Sequence, residues 1–98
     1  MIVRLHPAVD SDLLQAMEYY ESEAVPEVAF EFYVEFRRCA GEIGLRPGSF
    51  PVTSSGLRRM NLHRFPFHIL FEVLNETEVE IFAVKHDRRD PDYATDRV

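Results

Sequence analysis

The chain has no tryptophan, one cysteine, one lysine and four glycines in 98 residues. A single cysteine, Cys39, excludes an internal disulfide and fits a reducing cytoplasm. No apolar run approaches the roughly 20 residues that cross a bilayer as a helix. The opening MIVRLHPAVD has no extended apolar stretch and no small-residue cleavage site, so no signal peptide is expected and the expected location is the cytoplasm. Positive charge is also scarce. The net charge is −6, and the first 50 residues carry nine acids against four arginines. General affinity for nucleic acid comes from neutralising phosphates with Lys and Arg, so the whole-protein field opposes it. The second half is nearly balanced, and a local basic patch can still form there. Repeats, low-complexity segments and linkers are absent, which leaves one domain over residues 1–98.

What is present is organised around Leu57–Arg89. Phe67, Ile69, Phe71 and Val73 alternate along one run, and Val79, Ile81 and Ala83 along the next, with Asn75-Glu76 between them. Period-two alternation about a short polar turn predicts a β-hairpin. Leu70, Phe82 and Val84 make the opposite face partly apolar, which suits central strands. Arg58, Arg59 and Arg64 precede the hairpin, and Lys85, Arg88 and Arg89 follow it.

Ile2–Leu5 is a short strand expected to join that sheet, because two strands alone are marginal. His6-Pro7 opens a helix in which Val9, Leu13, Ala16, Met17, Tyr20 and Ala24 share a face, ending near Val25. Pro26 opens a second helix with Val28, Phe32, Phe36, Cys39 and Ile43 at helical spacing and Gly44 as its expected stop. The short connection makes the two helices antiparallel. Arg46–Gly56 is a loop, Leu57–Leu62 a strand, and His63–Pro66 a turn or bulge, since Pro66 cannot donate to a ladder. The order β-α-α-β-β-β predicts an α+β fold, a mostly antiparallel sheet packed on an N-terminal helical hairpin.

Three segments carry a family likeness. HPAVDSDLLQAMEYY ends in a Tyr19-Tyr20 pair; Arg64-Phe65-Pro66-Phe67-His68-Ile69-Leu70-Phe71 forms a compact strand core; and Val84, His86, Arg89, Pro91 and Tyr93 fit a V-x-H-x-x-R-x-P-x-Y pattern. In this order and spacing the chain resembles the RelE/ParE superfamily of bacterial toxins from toxin–antitoxin modules. Ala94 stands where an aromatic residue is frequent. The resemblance implies the same β-α-α-β-β-β fold and a small antitoxin, encoded alongside, that wraps the toxin. The C-terminal pattern looks closer to the ParE-like, plasmid-stabilisation branch, whose members bind and poison DNA gyrase. RelE-like members instead cut messenger RNA on the ribosome.

Each activity makes its own demand on the residues. A metal-free ribonuclease needs a base for the 2′-hydroxyl, a cation for the phosphorane and an acid for the leaving oxygen. By residue type, His86, Arg58 or Arg64, and Tyr93 fill those roles. The plainer alternative has His86 bonding the following loop and the arginines pairing with Glu72, Glu78 and Glu80. A gyrase poison needs a binding surface, for which Arg58, Arg59, Arg64, Arg88, Arg89 and Tyr93 are candidates, arginine being common at hot spots. The acidic balance and single lysine favour binding over ribosome-dependent cleavage. A third possibility is a member that has lost toxicity and only binds its antitoxin. The spacings of His6, His63, His68 and His86 match no ligand motif, and Cys39 lies on a core stripe, so neither metal nor cofactor is expected. The free chain is expected to expose an apolar groove between helices and sheet that the antitoxin fills.

Overall fold

A computed structural model describes residues 1–88. The elements are β1 (Ile2–Leu5), α1 (Val9–Glu23), α2 (Pro26–Leu45), a 3-10 turn at Pro47–Ser49, β2 (Arg58–Asn61), β3 (Phe67–Val73) and β4 (Glu78–His86). The four strands form one sheet in the order β1-β4-β3-β2. β1 runs parallel to β4, whereas β2–β3 and β3–β4 are antiparallel. The hairpin strands are therefore the central pair, and the helices cover one face.

Both helices start without a side-chain cap. Ahead of α1 the His6 ring folds back on the turn, its Nδ1 accepting the Ala8 N–H at 3.1 Å. At α2, Val25 is extended and Pro26 occupies the first turn, where its missing N–H is no loss. Phe32, Phe36, Cys39 and Ile43 then fall on the buried stripe, together with Val9, Leu13 and Ala16 of α1. Each fully buried phenylalanine contributes about 1.5–3 kcal/mol of hydrophobic stabilisation. The rings also meet edge to face: Phe32 lies 5.2 Å from Phe65 and 5.0 Å from Phe67, and Tyr20 lies 5.2 Å from Phe65. The turn between β2 and β3 is thereby pinned to both helices.

The structure departs from the sequence expectations at the start of α1, which is Val9 and not Pro7, at Gly44 and in β4. Gly44 does not stop α2, which continues to Leu45. It lies instead where β1 crosses the helix: an added Cβ would stand 2.9 Å from Val3 Cγ2 and 3.3 Å from the Met1 carbonyl. The helix end is closed by the Met1 ammonium, which donates to the Gly44 carbonyl at 2.9 Å. The Asn75-Glu76 turn needs no glycine, because the Asn75 side chain accepts the Thr77 N–H at 2.8 Å and replaces a backbone turn bond. Finally, strict alternation in β4 fails. Phe71 faces Ile81 while Leu70 faces Ala83, so Phe82 is an extra residue, a β-bulge. Val79, Ile81 and Val84 join the main core, and Phe82 and Ala83 join Leu57 and Leu70 in a second cluster on the outer face. Ala83 and Val84 have thus exchanged the faces that the sequence assigned them.

Two helix carboxylates are buried against sheet backbone. Asp12 Oδ2 accepts the Val84 N–H at 3.0 Å, just past the point where the pairing of β1 with β4 ends at Ile81. Glu35 Oε2 accepts the N–H groups of His63 and Arg64 at 2.7 and 3.1 Å. Removing Glu35 leaves two donors without that acceptor, so Glu35→Ala should lower the unfolding free energy by about 2–3 kcal/mol in urea titration. The glycines of α2 should separate in the same assay. Gly41 has open space around an added Cβ, so Gly41→Ala should stabilise by about 0.5–1 kcal/mol. Gly44→Ala should lose that gain, or reverse it, against Val3.

Candidate functional site

The sheet register decides which charged side chains meet. Adjacent strand residues point to opposite faces, so Arg58 and Arg59 do not form one patch. Arg58 lies opposite Phe71 on the helix side and donates from Nη1 to the Phe50 carbonyl at 2.6 Å. His86 lies opposite Phe67 and packs edge-on against its ring at 5.2 Å. Its Nδ1 accepts the Arg88 N–H at 3.1 Å. Arg58 and His86 are four residues apart along β3 and on strands either side of it, a separation of about 16 Å at ordinary strand spacings. Arg64 sits in the β2–β3 turn, its Nη2 2.7 Å from Glu31 Oε2 and its guanidinium over the Phe65 ring. Arg89 and Tyr93 lie outside the described residues. Arg58, Arg64 and His86 are therefore held in three separate places. The pairing of these arginines with Glu72, Glu78 and Glu80 is not what forms: Arg58 meets the Phe50 carbonyl, Arg64 meets Glu31, and Glu78 is paired by Arg4 instead.

The convergent polar group lies elsewhere, on the outer face of the sheet. His68 and Lys85 face each other across β3 and β4, and Arg59 and Asn61 stand beside them on β2. Asp87 closes the row: its Oδ1 lies 2.8 Å from His68 Nδ1 and 3.6 Å from Arg59 Nη2. Thr53, Ser54 and Ser55 form the facing wall of a pocket of about 350 Å³. The Thr53–Gly56 turn that carries them needs Gly56 at φ 88°, a left-handed conformation. His68 is 2% exposed, though it lies on the face away from the helices. A carboxylate oxygen only accepts, so the proton of the neutral ring is on Nδ1 and Nε2 is the basic nitrogen. Burial pushes the His68 pKa below the ordinary histidine value, against the opposing pull of its bond to Asp87.

His68, Asp87 and Lys85 did not stand out as a group in the sequence. His68 lies inside a strand core and Asp87 in a polar tail. Their meeting depends on the register and on the bulge in β4. Among the described residues no three His, Cys, Asp or Glu side chains converge as metal ligands. Cys39 is buried, and burial pushes its thiol up to about 11, so it is protonated near neutral pH and a poor nucleophile. No helix among the described residues is long and apolar enough to cross a membrane.

A helical hairpin laid on a four-stranded sheet is the architecture expected from the order of the elements. A family model described as the ParE toxin of the type II toxin–antitoxin system parDE matches residues 3–91, and the chain belongs to that family. Among solved structures, one described as a chromosomal ParDE toxin–antitoxin system from P. aeruginosa superposes with a TM-score of 0.77. It is 20% identical in sequence, and the alignment covers 88% of this chain and 95% of that one. The likeness shows the shared fold. No curated protein sequence matches the chain.

The depressed His68 pKa has a consequence for stability. The unfolded histidine binds a proton at a pH where the folded one does not. Stability from His68 is therefore full above the unfolded value of about 6.5 and declines as pH falls below it. Urea titrations at pH 7.5 and 5.5 should show a loss for the wild-type chain that is smaller in His68→Gln.

Proposed function

We propose that this type II toxin acts by binding its target without chemistry of its own, that the target is DNA gyrase, and that an antitoxin encoded beside it neutralises it. Membership of the ParE toxin family carries this reading. The separation of Arg58 from His86 supports it, because their backbone positions stand about 16 Å apart across the sheet and the Arg58 guanidinium is held by the Phe50 carbonyl. So does the acidic balance of the chain, with its net charge of −6.

The surface supports a protein partner. On α2, Phe30 is 65% and Leu45 84% exposed, with Val34 between them on the same stripe. Beside this helix a groove of about 350 Å³ runs between Val3 and Leu5 of β1 and Phe36, Ala40 and Gly41 of α2. An antitoxin segment that fills it would carry apolar anchors. Acids dominate the helical layer, so basic residues should flank those anchors; a segment lying over Arg59 should be acidic instead.

The test is induction in a bacterial host without antitoxin, with DNA and protein synthesis pulse-labelled side by side. DNA synthesis should fail first, and His86→Ala should be as toxic as wild type. Early failure of protein synthesis, abolished by His86→Ala, would instead establish the ribosome-dependent nuclease. No effect on either would leave a member that only binds its antitoxin.

A further inference from the structure

We propose that the outer-face pocket is a binding site for a phosphate group borne on a small ester, held by Arg59 and the Ser54 wall against His68. The inference is independent of the toxin's target. It rests on geometry that the sheet builds. The pocket, about 350 Å³, falls at the lower end of the range for small-ligand sites. It has a rigid floor: His68 and Lys85, 2% and 4% exposed, stand on the two central strands.

The polar groups favour a tetrahedral oxyanion. Arg59 lies at the rim, its Nε donating to Asn61 Oδ1 at 2.8 Å and its Nη2 set 3.6 Å from Asp87. The longer contact leaves guanidinium donors for an incoming acceptor, and the planar fork matches phosphate oxygens. Thr53 and Ser55 brace the loop through their hydroxyls: Thr53 Oγ1 lies 2.8 Å from the Leu57 carbonyl and 2.9 Å from Ser55 Oγ. Ser54, held between them, lines the same wall. Asp87 already gives Arg59 and His68 a carboxylate partner. A second planar carboxylate would meet one edge of the fork only. A phosphate presents three terminal oxygens in three directions, enough to accept from Arg59 and from the loop together while it lies beside the His68 ring. Leu70 supplies an apolar patch in the same pocket for the organic part of the ester.

The probes are inorganic phosphate, uridine 5′-monophosphate and acetate, titrated at constant ionic strength into the full chain. The readout is the NMR signals of the His68 ring. Saturable shifts are expected with phosphate or the monophosphate and not with acetate. Saturation by both shows that the phosphate alone is read, and saturation by the ester alone shows that its organic part is held too. Arg59→Gln should weaken binding about tenfold or more. Ser54→Glu, on an exposed loop, should abolish it by placing a negative charge in the pocket. Arg46→Gln, a change in an arginine that pairs with Glu42 away from the pocket, should leave it intact. Equal shifts with acetate, no saturation in the millimolar range, or unchanged binding in folded Arg59→Gln and Ser54→Glu would each overturn the proposal.

Discussion

One extra residue in β4 sets the chemistry of both faces of the sheet. Val79 and Ile81 point toward the helices, and an unbroken strand would send residues 83 and 85 the same way. Phe82 bulges out, and the parity reverses. Lys85 moves to the outer face beside His68, and His86 turns inward to pack against Phe67. The apolar composition of the segment accommodates the switch: Val84 fills the helix-side core, and Phe82 and Ala83 close a second cluster with Leu57 and Leu70. A histidine in a suggestive C-terminal pattern is thus used for packing, and one hidden in a strand becomes the floor of a pocket.

The helices do more than cover the sheet. Asp12 and Glu35 reach down from α1 and α2 and accept backbone N–H groups at two irregular places, the bulged part of β4 and the β2–β3 turn. Those are places where the ladder leaves donors over, and a buried donor must find an acceptor. The carboxylates fix the layers against each other at defined positions, which hydrophobic contact alone would allow to slide. The aromatic cluster of Tyr20, Phe32, Phe65 and Phe67 surrounds the same turn.

The order and kind of both helices and all four strands were legible in the sequence, because the apolar spacing is regular: four, four, three, four along α2 and two by two along β3. Pro26 marked the start of α2 to the residue. What could not be read depends on contacts between distant segments. Gly44 is a typical helix stop by residue type, yet its role is set by Val3 and the chain start, more than 40 residues away. The bulge is invisible because Phe, Ala and Val suit either face. For the site, type and charge nominated the arginines, and alternation along the strand Leu57–Leu62 set Arg58 with Met60 and Leu62 on one face and Arg59 with Leu57 and Asn61 on the other, as the structure has them. Arg58 and Arg59 are neighbours in sequence and opposites in the sheet. Asp12 and Glu35 are two of nine acids in the first 50 residues, and nothing local distinguishes an acid that meets a backbone donor from one that meets water.

The outer face is also electrically lopsided. At one end Glu72 and Glu80 stand directly opposite each other, with Glu78 held by Arg4 nearby. At the other end stand Arg59 and Lys85, offset in part by Asp87. The strands therefore carry a charge gradient along their length. A diffusing partner feels the torque of such a gradient before it touches the surface. A negatively charged one is turned toward the Arg59 end and a positively charged one toward the turn after β3. That rotation happens within about a Debye length, roughly 8 Å at physiological ionic strength. Salt should therefore act mainly on how fast this face captures a charged partner, and much less on how long the partner stays.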